Sequence, residues 1–457
     1  MADGALEALE RSSALYDAIG ERLGAVISWL DPEARGALEQ KASRGGGERP
    51  EGVLEGWLAG VKDNIDTADG RTTAGAAFWQ ERRADIDAAC VRALRRAGGV
   101  VLAKCNLAEV AMGGTTQNRT FGSCRNPWNL DRIPGGSSGG SAVVVAARLC
   151  RVALGTDTGA STRLPACVNG ILGLRPTIGR ISTAGTLAVA PSLDTVGPMA
   201  RTAADLAALT AALSCPDPED PFSSLAPAPD ALRVDRVAIE GLRIGVAGGL
   251  FAEDVDAGVA ECVATARSTL ERLGAHLVDV EVEGARDAFE HWTKVMQAEA
   301  AFQHRERLAA EPASFSPDVL TRLRAGDDPS ASELAGSYLW RARYRRRLEL
   351  AFSQLDAVIA PTLGADVPPI EGEDSLPQTR LIGRLTYPWA MYHGPTLNLP
   401  VGFHPSSGMP VGMAVVAAPW AEAVLIRIAA AYQDATRWYR ELPPVLRGLQ
   451  HLVEVEP

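Results

Sequence analysis

Between about residues 5 and 27 apolar positions recur at helical spacing and predict an amphipathic helix, and Ser43-Arg44-Gly45-Gly46-Gly47-Glu48-Arg49-Pro50 predicts a loop after it. The run Val53-Leu54-Glu55-Gly56-Trp57-Leu58-Ala59-Gly60-Val61 is largely apolar. It reads as a buried strand or turn that ends at Lys62. Short apolar runs then alternate with helical ones: helix 88–97, strand 99–103, helix 140–149, strand 151–154. This alternation predicts an α/β fold, a central mixed sheet covered by helices on both faces. A proline-rich break runs from Pro216 to Pro229. Beyond it, Leu242 to Val246 begins a new strand, helical patterns dominate from about 256 to 352, and 356–361 and 412–416 read as returning strands of the main sheet. No internal repeat is evident. The expectation is one domain over residues 1–457, with a core at 53–200, a helical insertion covering the site at about 215–350, and returning strands within 355–435.

Composition narrows the function classes. With 457 residues, 46% of them apolar, the chain can bury a large core. Its net charge of −11 has the wrong sign for a nucleic-acid surface, and the basic stretch Arg341 to Arg347 reads as a solvated helix face. The start, Met1 to Leu30, has no signal-peptide core, and no stretch holds about 20 uninterrupted apolar residues, so neither membrane insertion nor export is expected and the cytoplasm is the expected location. Seven cysteines without a CxxC pair predict reduced thiols; Cys105 and Cys150 read as small core residues, and Cys167 sits close to the glycine-serine segments. Six histidines are scattered without an i, i+4 pair, so neither a metal nor a cofactor is expected.

The candidate chemistry lies in Gly135-Gly136-Ser137-Ser138-Gly139-Gly140-Ser141, in Thr156-Asp157-Thr158-Gly159-Ala160-Ser161, and in Lys62 upstream. Breaking an unactivated amide requires a nucleophile, a proton acceptor for it, and donors where the carbonyl oxygen becomes negative. Serine alone is too weakly acidic. A lysine serves as the base when burial lowers its pKa by several units from about 10.4, because desolvation disfavours the ammonium form. Taken alone Lys62 reads as a surface lysine; the two serine segments change that reading.

These segments resemble the signature of the amidase signature family. The matching blocks are Gly135 to Gly140, the small-residue helix Ala142 to Arg151, Gly155-Thr156-Asp157-Thr158-Gly159-Ala160-Ser161-Thr162-Arg163-Leu164-Pro165-Ala166, and Gly173-Leu174-Arg175-Pro176-Thr177-Ile178-Gly179-Arg180. The resemblance implies the amidase signature fold and a catalytic trio of Lys62, Ser137 on a cis peptide, and the nucleophile Ser161. It implies a relay in which neutral Lys62 takes a proton from Ser137, Ser137 takes one from Ser161, and Ser161 forms an acyl-enzyme that water hydrolyses. The backbone N–H groups of Thr158, Gly159, Ala160 and Ser161 would hold the oxyanion, each well-placed donor being worth about 3 to 4 kcal/mol. Ser138 and Thr158 would orient the relay, and Asp157 with Arg163 would brace the nucleophile loop, although capping of loops and helix starts explains Ser138 and Asp157 equally well. One departure stands out: Ala160 replaces the family's usual glycine. Its backbone is expected at negative φ, where alanine costs little.

The later half is similar to the family more weakly, at Ile359-Ala360-Pro361-Thr362, Thr396 to Phe403 and Met409 to Trp420, and the aromatic stretch with Tyr387, Trp389, Tyr392 and His393 suits either an apolar substrate or packing. The resemblance implies a small amide, carbamate or urea-like substrate and leaves room for a homodimer. Three other readings stand beside it: a nucleophile elbow with Ser138 attacking and His393 as base, a non-catalytic protein binding an anion in the glycine loop, and the catalytic subunit of a glutamyl-tRNA amidotransferase, which needs partner subunits and glutamine.

Overall fold

The computed structural model describes residues 2–43, 52–226, 238–372 and 376–453. The loop expected at 43–50 lies, beyond Ser43, outside the described residues, and so do positions 227–229 of the proline-rich break. In chain order the strands are β1 (Val26–Trp29), β2 (Leu58–Lys62), β3 (Val100–Cys105), β4 (Gln117–Asn118), β5 (Gly122–Ser123), β6 (Val152–Asp157), β7 (Leu172–Arg175), β8 (Thr195–Ala200), β9 (Arg243–Ala247), β10 (His276–Val280), β11 (Ala357–Pro361), β12 (Thr396–Phe403) and β13 (Pro410–Val416). Eleven of them form one mixed sheet in the order β1-β3-β2-β6-β8-β7-β12-β13-β11-β9-β10, while β4 and β5 pair separately. Strand β2 runs parallel to β3 and β6, and β9 parallel to β10 and β11; the other neighbours are antiparallel.

The central strands are apolar without alternation because both faces are covered. In β6, Val152 and Leu154 enter one hydrophobic cluster, with Leu206 and Leu209 of helix Ala203–Leu213, and Ala153 between them enters the other, with Val143 of helix Gly139–Ala146 and Ile19 of the first helix. Because β12 joins β7 to β13, the strands after the insertion are built into the same sheet as those before it.

Two expectations need correction. The first helix spans Ala2–Leu23, and the positions read as its last turn form β1, with Val26 opposite Cys105 of β3. Helical spacing continued by chance into a segment whose partner lies some eighty positions away, and strand pairing decided it. The region 256–352 holds helices Ala257–Arg272, Ala288–Ala310, Pro317–Arg324 and Ala331–Phe352, but His276–Val280 inside it is the edge strand β10, paired with β9. Only partly buried, β10 lacks the apolar run that reveals the central strands. Among the described residues no helix is long and apolar enough to cross a membrane.

Candidate active site

Strands β2 and β6 are parallel neighbours, with Val61 opposite Leu154, so their C-terminal ends reach the same edge of the sheet. Such edges are where open α/β sheets place ligands. Lys62 ends β2, fully buried, and its Nζ lies 2.7 Å from Ser137 Oγ, 2.7 Å from Thr156 Oγ1 and 3.5 Å from the Thr156 carbonyl oxygen. Burial pushes the Lys62 pKa down to about 7, against the opposing pull of Asp157 and Asp194. Asn64 adds a second donor to Thr156 Oγ1 at 3.3 Å.

Ser137 follows a cis peptide from Gly136 and is buried. The Thr116 hydroxyl donates to the Gly135 carbonyl at 2.7 Å and fixes the approach to it. Ser138 turns its hydroxyl to the main chain of Thr156, donating to the carbonyl at 3.1 Å and accepting from the N–H at 3.3 Å. Its own N–H donates to the Ser161 carbonyl at 3.3 Å. That main-chain bond joins the two serine segments; among the described residues no side-chain hydrogen bond links Ser137 to Ser161. The helix that follows is buried along its length, and a Cβ at Gly140 would stand 2.4 Å from the Ala25 carbonyl oxygen and 2.5 Å from the Asn106 nitrogen, so only glycine fits there.

The loop that carries Ser161 is braced from Asp157. Its carboxylate takes Arg163 Nη2 at 2.9 Å and Nε at 3.0 Å, and the N–H of Thr162 at 3.0 Å, so it is both the ion-pair partner and the cap of helix Arg163–Asn169. Arg175 reaches the same carboxylate at 3.3 Å and donates to the Asp157 carbonyl. Burial by itself would raise the Asp157 pKa, but the two guanidiniums more than reverse this and hold it well below the usual carboxylate range. Arg163 also donates to the Gly159 carbonyl at 2.7 Å.

Thr158 is held at both of its polar ends: its hydroxyl donates to Asp194 Oδ1 at 2.5 Å, and its carbonyl accepts from Trp292 Nε1 at 3.1 Å. The Thr158 side chain therefore points to Asp194, not to the serine–lysine relay. A Cβ at Gly159 would lie 2.5 Å from the Trp292 ring, so the indole rests on bare backbone. Ala160 is outside the positive-φ residues, as expected from its tolerance in the motif.

Thr158, Gly159, Ala160 and the half-buried Ser161 line a cavity enclosing about 460 Å³, its open mouth included, together with Gly136 and with Met112, Leu164, Val189, Trp292, Met296, Ile382 and Tyr387. Arg322 is the charged residue on this wall. It is 4% exposed, pairs with Asp318 at 2.6 Å and donates to Thr379 Oγ1 at 3.3 Å, and its Nε makes no hydrogen bond. Of the aromatic stretch only Tyr387 reaches the cavity; Trp389 and Tyr392 are buried in the core, which favours packing as their role. His393 is outside the lining, and burial, then Arg345, lowers its pKa to about 4. With the Ser138 hydroxyl bound to Thr156, the elbow arrangement lacks its nucleophile–base contact. Cys167 lies behind the wall in the cluster of Ala160 and Leu164, its thiol pushed up by burial to about 12. No group of three His, Cys, Asp or Glu among the described residues is placed to hold a metal ion.

Thr156, Arg175, Asp194, Trp292 and Arg322 carry no role in the sequence reading. The first two stand inside quoted blocks, so their position was a usable signal; the other three come from segments with no distinguishing pattern.

Comparison with known proteins adds to this geometry. The Amidase family profile matches residues 7–426. A glutamyl-tRNA(Gln) amidotransferase subunit from Halorhodospira halophila is 37% identical over 452 residues, covering 92% of each chain, and the protein of the same name from Roseiflexus castenholzii is 35% identical over 475 residues, covering 97% of this chain and 96% of its own. An inhibitor-bound structure from work on a vestigial protein complex and the evolutionary origins of an s-triazine catabolic enzyme superposes with a TM-score of 0.88 at 30% identity, over 94% of this chain and 95% of that one.

Proposed function

Because the chain belongs to the amidase family, and so is an enzyme acting on carbon–nitrogen bonds, we propose that it is a serine amidohydrolase for a small amide, carbamate or urea-like compound that carries a carboxylate. The observation that carries the hydrolytic reading is the buried Lys62 amine, 2.7 Å from Ser137 Oγ, its pKa lowered by burial to about 7. A neutral amine has two N–H groups and one lone pair. With Thr156 accepting the N–H groups, the lone pair is left for the Ser137 proton. Ser137 then accepts the proton of Ser161 once substrate turns that side chain into line, and Ser161 Oγ bonds to the carbonyl carbon. The oxyanion meets the N–H groups of residues 158–161. The leaving nitrogen takes the proton back through the same hydroxyl, and water repeats the sequence to free the acid.

Arg322 supports the carboxylate. It is the charged side chain among the described lining residues, and a charge-assisted bond from its guanidinium suits an anionic substrate end. A second reading, the catalytic subunit of an amidotransferase fed by glutamine, is favoured by the names of the relatives above.

A hydrolysis panel of malonamate, a biuret-type acid, an aryl carbamate, acetanilide and glutamine separates these readings. Turnover of malonamate or the biuret-type acid by the purified chain, lost in Ser161→Ala and Lys62→Ala, is expected. In Arg322→Leu the KM for the acids should rise roughly 10- to 100-fold while acetanilide is unaffected. Glutamine as the preferred substrate, or activity that appears only with partner subunits, would decide for the amidotransferase.

A further inference from the structure

Asp194 touches neither Lys62 nor Ser137 and does not line the cavity, yet it holds the loop that does. Its Oδ1 takes the Thr158 hydroxyl at 2.5 Å, and its Oδ2 takes the N–H groups of Val189 at 2.9 Å and Ala190 at 3.1 Å. The turn that bears it is anchored in its own right. Arg175 Nη2 donates to the Leu193 carbonyl at 2.7 Å, Arg341 Nη2 to the Ser192 carbonyl at 2.8 Å, and Glu299 accepts from the Ser192 N–H at 2.9 Å and from its hydroxyl. Glu299 and Trp292 belong to the same insertion helix, Ala288–Ala310. That helix therefore grips Thr158 by two routes, through the indole on its carbonyl and through Ser192 and Asp194 on its hydroxyl.

We propose that Asp194 is a positioning residue for the reaction: it fixes Thr158, and with it the N–H groups of residues 158–161. The inference rests on the reading of Ser161 as nucleophile and Lys62 as base. With its hydroxyl and carbonyl both held, Thr158 cannot rotate its peptide planes, so the oxyanion donors need no rearrangement when negative charge develops. Desolvation dominates the Lys62 amine, while Asp157 and Asp194 are the charges that pull its pKa back up. Asp157 is already committed to Arg163 and Arg175, which leaves Asp194 as the carboxylate with no cationic partner of its own. Burial, offset by the bonds from Thr158, Val189 and Ala190 and reinforced by the Glu299 charge, raises the Asp194 pKa to about 6, so it is mostly ionised at neutral pH.

The test uses p-nitrophenyl acetate, whose acetyl group passes to Ser161 Oγ as the C–O bond to p-nitrophenolate breaks and the serine proton moves to Lys62 through Ser137. Acetylation rates are measured from about pH 5 to 9 for the parent, Asp194→Asn, Thr158→Val and the double variant, each checked for folding by circular dichroism. Both single variants should lose roughly 10- to 100-fold in the acetylation rate constant with KM changed less than about threefold. The double variant should be no slower than the slower single one, because both changes act on the one contact between Asp194 and the Thr158 hydroxyl.

A rate within about twofold of the parent in Thr158→Val, or losses that multiply in the double variant, would overturn the proposal. Should Asp194→Asn not fold, the Thr158→Val rate still decides the positioning claim. Acetylation that persists in Ser161→Ala would instead defeat the underlying nucleophile assignment.

Discussion

The hydroxyl of Thr156 stands 2.7 Å from the amine of Lys62, the same separation as the hydroxyl of Ser137 on the relay. Lys62 and Thr156 meet because they lie on adjacent parallel strands, β2 and β6. On the proposed mechanism Ser137 exchanges the proton, and Thr156 keeps the amine turned towards it.

Thr156→Val keeps the shape of the side chain and removes the acceptor. Losing a hydrogen bond to an ionisable group costs about 1.5 to 3 kcal/mol, so kcat should fall roughly 10- to 100-fold. The Lys62 ammonium also loses an acceptor, and the acid limb should shift to lower pH. Steady-state kinetics across pH check both effects; an unchanged kcat would remove Thr156 from the relay.

The pH dependence of the parent follows from burial. On the proposed mechanism the neutral amine is the active form, and its pKa lies at about 7, so kcat/KM should rise with pH and reach half its plateau near that value. An unburied lysine would place the same limb some three units higher. A profile flat between about pH 5.5 and 9 would rule out Lys62 as the base.

Arg163→Met should destabilise the fold. Asp157 would keep Arg175 but lose its two-point partner, and breaking a buried pair of this kind costs about 3 kcal/mol or more. Urea unfolding measures the loss, and a midpoint equal to the parent's would show the pair to be dispensable. Activity should fall too, since Arg163 also holds the Gly159 carbonyl.

Ala160→Gly should change kcat by less than about threefold, because alanine already sits at a negative φ and glycine relieves no strain. A gain of about tenfold or more on a small substrate would mean that the alanine methyl obstructs the cavity.

Much of the site could be read from the chain because its parts are local. Ser137 and Ser138 sit between glycines that let a helix start press against neighbouring backbone, and Asp157, Ser161 and Arg163 fall within one turn, so their contacts follow from a short motif. Thr158 was legible as a loop residue but not the direction of its hydroxyl, which depends on Asp194 in a different turn. Among the secondary elements, the buried strands β2, β3 and β6 stood out by their apolar runs. Strands β1 and β10 did not, because one continues a helical pattern and the other is a half-exposed edge.

The chain alone determined the family, and with it an enzyme acting on carbon–nitrogen bonds, because the serine and glycine blocks are contiguous motifs legible without their surroundings. Only the folded molecule decided that the Lys62 pKa falls to about 7, because desolvation is a property of everything packed around it, and that Arg322 is the charged side chain among the described residues of the cavity wall. Trp292, Arg322 and Tyr387 reach that wall from helices far along the chain, the first two from the 256–352 region and the third from helix Tyr387–Met391 beyond it. Packing at such distances leaves no periodic trace in sequence, since each wall residue needs to be right only where it lands.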